Sequence, residues 1–110
     1  MYVEVDLGSI PPIISLREPE DFQRFHVAVR GSSDPSLLGA ALSDSGSGEI
    51  DAGGENAYVT IQSIVGLSEG LVDADWQEGF SKMIDYAQSK GWVGSDGTTV
   101  KAHIEWDAGT

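Results

Sequence analysis

The residues of this chain with the most chemical potential are two histidines, His26 and His103, and their immediate neighbours. Each lies in a run that alternates apolar and polar side chains, so each is expected on a strand, pointing away from the core. If those strands pair in register the imidazoles become neighbours. With Glu105 or Glu4 as a carboxylate they could then shuttle a proton or supply two metal ligands. Arg24 and Arg30 share strand parity with His26, which would give the same face a cationic character able to receive a carboxylate. The expected ligand-binding set is Arg24, His26, His103 and Glu105. The plainer alternative is a pair of solvated histidines with arginines bonded across strands to Glu4, Asp6 or Glu105, each exposed pair being worth only about 0–1 kcal/mol.

Other motifs are weaker. The run Asp44-Ser45-Gly46-Ser47-Gly48-Glu49-Ile50-Asp51 offers hard oxygen ligands and flexible glycines, as calcium loops do, but it lacks the alternating aspartates, the central glycine and the closing glutamate of an EF-hand. Ser47 stands between two glycines, yet the Gly-x-Ser-x-Gly elbow of a nucleophilic serine is absent, as are Gly-x-Gly-x-x-Gly, the phosphate-binding Gly-Lys-Ser/Thr and His-Glu-x-x-His. No catalytic residue, metal or cofactor is therefore assigned, and the chain reads as non-enzymatic.

Charge narrows the partners. Eighteen acids oppose six bases for a net charge of −12, and no Lys or Arg occurs between Arg30 and Lys82, a stretch that carries nine of the acids. Such a field repels phosphate backbones and anionic lipid heads, so neither nucleic acid nor membrane is an expected partner. Acidity serves solubility in the simplest reading. In the sharper one it favours a protein partner with a basic surface, or divalent cations. The chain has no cysteine, no basic-flanked apolar leader and no stretch near the ~20 apolar residues of a membrane span, which together give a cytoplasmic expectation.

At 110 residues, with 40% hydrophobic content, the chain fits one domain over 1–110 that buries a core without covalent staples. Tyr2 to Leu7 alternate as a strand that Gly8 ends. Pro11-Pro12 then limit Ile13, Ile14 and Leu16 to an edge strand or an extended connector. Residues 18–30 fit a helical face through Phe22, Phe25 and Val29 and a strand face through Phe25, Val27 and Val29. The β-rich Phe-His-Val-Ala-Val favours a strand from about Phe22. Asp34-Pro35 opens a short helix through Leu37, Leu38, Ala41 and Leu42. From 43 to 56 Ser, Gly, Asp and Glu dominate and Ile50 is the one large apolar residue, too little apolar surface to offset ordering, so a flexible acidic loop is expected that could be shortened at little cost. Ala57, Val59 and Ile61 form a strand face, and a helical turn follows to Leu67.

The long helix begins at Asp75, whose spacing to Glu78 resembles a capping box. Trp76, Phe80, Met83, Ile84 and Ala87 form its inward stripe, and Gly91 stops it. After a turn at Ser95-Asp96-Gly97, Val100, Ala102, Ile104 and Trp106 line one face of a last strand. These elements predict an α+β two-layer sandwich: a roughly four-stranded, mostly antiparallel sheet with one long helix (about 75–90) and one or two short ones on one face. The other face is left open and half-polar, with Tyr2 and Tyr58 as candidate contacts, and Trp106, on the apolar stripe but four residues from the C-terminus, is a further candidate anchor if partly exposed. The functional expectation is an acidic interaction or adaptor domain that homodimerises through that face and engages a protein partner. The alternative is a small-ligand-binding protein, or an unassigned enzyme, using Arg24, His26 and His103.

Overall fold

A computed structural model describes residues 1–106. It contains β1 (Tyr2–Asp6), β2 (Ile13–Arg17), β3 (His26–Arg30), α1 (Pro35–Asp44), β4 (Gly48–Ile50), β5 (Asn56–Thr60), α2 (Ile61–Ser68), α3 (Trp76–Ser89) and β6 (Thr99–Trp106). The α+β class holds, but the sheet differs from expectation. It has six strands in the order β2-β1-β3-β6-β5-β4. Its centre is parallel, β3 running with both β1 and β6, while β2, β5 and β4 are antiparallel to their neighbours. Alternation marks strands without naming their partners, and nothing in it shows that the chain leaves β2 and returns along the far side of β1. The expected long helix is the longest of three among the described residues, α3 having 14 residues against 10 for α1 and 8 for α2.

Period two explains which face is buried. Val3 and Val5 of β1, Val27 and Val29 of β3, Val59 of β5 and Ile104 of β6 are essentially inaccessible, and the residues between them are not. On the apolar side they meet Leu38 and Leu42 of α1, Ile64 of α2 and Trp76, Phe80 and Ala87 of α3 in one cluster. Helix α2 touches both β2 and β5, so the sheet curls around it. The α3 stripe thus joins the inward residues of β6 in a single core, as expected.

Local chemistry sets the boundaries. Asp34 caps α1 by accepting from the Ser36 N–H at 2.9 Å. The expected capping box at Asp75 does not form. Asp75 is itself helical, and Asp73 receives the Asp75 N–H on its carboxylate at 3.1 Å instead. At the other end Gly91 adopts φ 78°, which lets the Trp92 N–H reach back to the Ala87 carbonyl at 2.9 Å and close the helix. Strand β3 begins at His26, not Phe22. Phe22 turns aside to the start of α3, its ring 6.1 Å from that of Trp76, because packing there outweighs its strand propensity.

The segment 43–56 corrects the loop expectation. It holds the end of α1, strand β4 and a turn organised by Asp51, whose carboxylate accepts from the Glu55 N–H and from Asn56 Nδ2, each at 3.2 Å. Burial opposes ionisation of Asp51, but the hydrogen bonds from Asn56, Glu55 and Gly54 outweigh it and hold the group below its ordinary value. A depressed folded-state value contributes stability that is complete above the ordinary carboxylate range, near pH 4, and is lost as pH falls through the folded value. Acid unfolding curves should therefore flatten in Asp51→Ala relative to the unaltered chain. Parallel curves would exclude the turn from acid sensitivity.

Candidate functional site

The residues that alternate with the core side chains form the open face of the sheet. Register places His26 directly beside His103 across the β3–β6 pairing, which alternation by itself does not require. Tyr2, the β1 partner of His26, stacks on its ring with centroids 4.9 Å apart and planes 17° from parallel. On the other side His26 Nε2 meets Glu105 Oε2 at 3.3 Å. His26 is therefore held between an aromatic ring and a carboxylate, its side chain 24% exposed. His103 is exposed and makes no side-chain hydrogen bond among the described residues.

A second group lies along β2, β1 and β3. Glu4, 12% exposed, receives Arg17 Nε at 3.1 Å and Arg30 Nη1 at 3.3 Å, so one carboxylate ties three strands together. Cross-strand pairing thus takes the place of a free cationic face here. Arg24 is not brought into the set. It precedes β3 in the connecting turn, is exposed, and makes no ion pair with Glu105 or Glu4. Tyr58 is half-buried on the same face between Glu49 and Lys101, and Trp106 is half-buried against the core.

Sequence reasoning missed a depression of about 310 Å³ at one end of this face, lined by Phe25, Asn56, Trp92, Lys101 and His103. It arises where β6 changes partner. From His103 onward β6 runs beside β3, but lower down it bridges to Val93 instead. Phe25 and Trp92 flank that seam. The only advance signal is His103 with Lys101 two residues earlier, which fixes both on one face but says nothing of Trp92.

A different surface lies at the corner between α1 and the loop after β1. Leu7, Pro11, Pro12, Ile14, Leu37 and Ala41 line a groove of about 350 Å³, in which Asp44 is the one charged residue among those described. The loop is shaped by a cis Ile10–Pro11 peptide and by Asp6, whose carboxylate accepts from the Gly8 N–H and the Ser9 hydroxyl. Leu37 on the wall of the groove is 50% exposed, and Ile10, which precedes Pro11 in the loop, is 99% exposed. An aliphatic side chain left half open on the wall of an apolar groove is informative, where scattered ones are not. The apolar run of α1 groups Leu37 with Leu38 and Leu42, but the helix turns Leu37 outward to the rim.

Among the described residues no three His, Asp or Glu side chains cluster as metal ligands, and no helix is long and apolar enough to cross a membrane. No family model, curated protein or solved structure matches the chain.

Proposed function

We propose that the protein is a non-enzymatic interaction domain that docks a basic, amphipathic segment of a protein partner in the groove between α1 and the loop after β1. The observation that carries this reading is the half-exposed Leu37 on the wall of an apolar trough in a strongly acidic molecule. Helix α1 runs from Asp34 at its N-cap to Asp44 at its last residue, with no base between them. A helix that presents apolar residues at i, i+3 and i+4 fills such a trough with its side chains, and basic residues flanking that stripe meet the acids at both ends. The net charge of −12 steers such a segment during approach, while the apolar contact sets its residence time.

Fluorescence anisotropy with a labelled lysine–leucine amphipathic peptide tests the reading. Leu37→Ser leaves the charge unchanged and should weaken binding by about tenfold or more. A peptide of equal charge without an apolar stripe should bind far more weakly than the amphipathic one. Equal affinity for the two peptides, or no effect of Leu37→Ser, would reduce the interaction to diffuse charge attraction and remove the docking site.

The homodimer through the open sheet face is a second reading, favoured by the half-buried Tyr2 and Tyr58. Light scattering at high micromolar concentration tests it independently. A dimer that Tyr58→Arg dissociates supports that face, and a strict monomer rejects it.

A further inference from the structure

We propose that the seam between β3 and Trp92 is a binding site for a small planar aromatic carboxylate, seated between Phe25 and Trp92 with its charge on Lys101 and His103. Five of the six bases have settled surroundings. Arg17 and Arg30 hold Glu4, Lys82 pairs with Glu78, Lys90 lies over the Tyr86 ring, and Arg24 stands exposed in its turn. Lys101 is different. It is half-buried on a strand, and among the described residues no carboxylate comes within ion-pair distance of it, although the chain holds eighteen acids. An ammonium without a counter-charge gains from an anion that pairs with it.

The neighbouring groups fix the class of that anion. His103, exposed and without a side-chain partner among the described residues, lies two residues along the same face and supplies a ring N–H as a second donor. Asn56, its register partner on β5, is anchored by Asp51 through Nδ2 at 3.2 Å and so borders the site at a fixed position. Trp92, 43% exposed, stands on a backbone held from both sides. Its N–H donates to the Ala87 carbonyl at 2.9 Å, its carbonyl accepts from the Lys101 N–H at 2.6 Å, and its ring meets Tyr86 edge-on at 6.0 Å. Two aromatic side chains in the lining suit a flat ring system, and about 310 Å³ is at the small end of ligand pockets. A singly charged carboxylate is favoured over a phosphate because the molecule's own field of −12 penalises each further negative charge on the ligand.

The test uses the full chain with three probes: 1-naphthoate, its neutral amide 1-naphthamide, and inorganic phosphate. Amide and indole N–H signals are followed by NMR during titration. The expected result is a saturable shift with naphthoate, centred on Phe25, Trp92, Lys101 and His103. Binding should weaken by about tenfold or more for the naphthamide and again for naphthoate with Lys101→Met, which keeps the aliphatic stem and removes the charge. Equal binding of acid and amide, unchanged affinity in Lys101→Met, shifts centred elsewhere, or no saturable shift would overturn the proposal. Phosphate binding tighter than naphthoate would overturn the carboxylate class. Should Lys101→Met lose its folded spectrum, the comparison of acid with amide on the unaltered chain decides. The site is separate from the α1 groove, so failure here leaves the docking reading intact, and the reverse.

Discussion

Phe80→Ala is expected to destabilise the fold by about 3–5 kcal/mol, read as a lower urea midpoint at unchanged slope. Phe80 is 3% exposed in the middle of α3. Its ring lies 4.7 Å from that of Trp76 and within 10° of parallel, and Trp76 in turn donates its indole N–H to the Pro19 carbonyl at 2.6 Å. Truncation removes the transfer energy of the ring and leaves a cavity. It also withdraws the surface that holds the Trp76 indole in place, and with it the tie between α3 and the turn before β3. The surrounding structure collapses poorly into such a gap, since one side of it is the sheet, and a loss near the top of the range follows. Ile84 shares the stripe but is only half-buried, so Ile84→Ala should cost less. A loss below ~1 kcal/mol for Phe80→Ala would mean that α3 does not close the core.

The α3 stripe is legible in the sequence because a 3.6-residue period sustained over fourteen residues arises from little else than an amphipathic helix, and the alternation through β1 and β6 is as distinctive of strands. The open face is legible for the same reason: Tyr2, Tyr58, His26 and His103 alternate with buried residues on their strands. Strand order is not legible. His26 and His103 are 77 residues apart, and only the parallel packing of β3 on β6 makes them neighbours. The Lys101 seam needs still more, since Trp92 follows α3 and reaches β6 through backbone hydrogen bonds that leave no side-chain pattern. The α1 groove leaves no signature because its walls are two prolines and the outer side of a helix, features that each have an ordinary local cause. Propensity misleads at Phe22, which packs on α3 instead of opening β3, and composition misleads where a Gly/Ser-rich stretch conceals a strand.

That strand gives the second large effect. Gly48→Ala should destabilise the protein by at least ~2 kcal/mol, although Gly48 lies in the most loop-like stretch of the chain. Gly48 has φ 148°, a conformation that side chains resist, and a Cβ placed on it would run into the carbonyl oxygen of Tyr58 on the neighbouring strand. It cannot give way cheaply, because the atom it meets is backbone. Pairing of Gly48 with Val59 and of Ile50 with Ala57 would be strained, as would the 2.7 Å hydrogen bond from the Thr60 N–H to the Ser47 carbonyl. Ile50, which packs against the core from β4, would lose its anchor. Gly46→Ala provides the contrast two residues earlier. Its φ is 69° and nothing lies within 4 Å of an added Cβ, so only the left-handed backbone cost of about 1–2 kcal/mol applies. Composition alone predicts the opposite sign for Gly48, since in an unordered loop alanine would restrict the unfolded chain and leave stability unchanged or raise it by about 0.4–1 kcal/mol. Urea melts of the two variants, with hydrogen exchange at the Thr60 amide, separate the cases. A neutral or stabilising Gly48→Ala would dissolve β4 and return the segment 43–56 to a loop. A large loss with faster exchange at Thr60 would establish that three residues of acidic, glycine-rich chain complete the sheet.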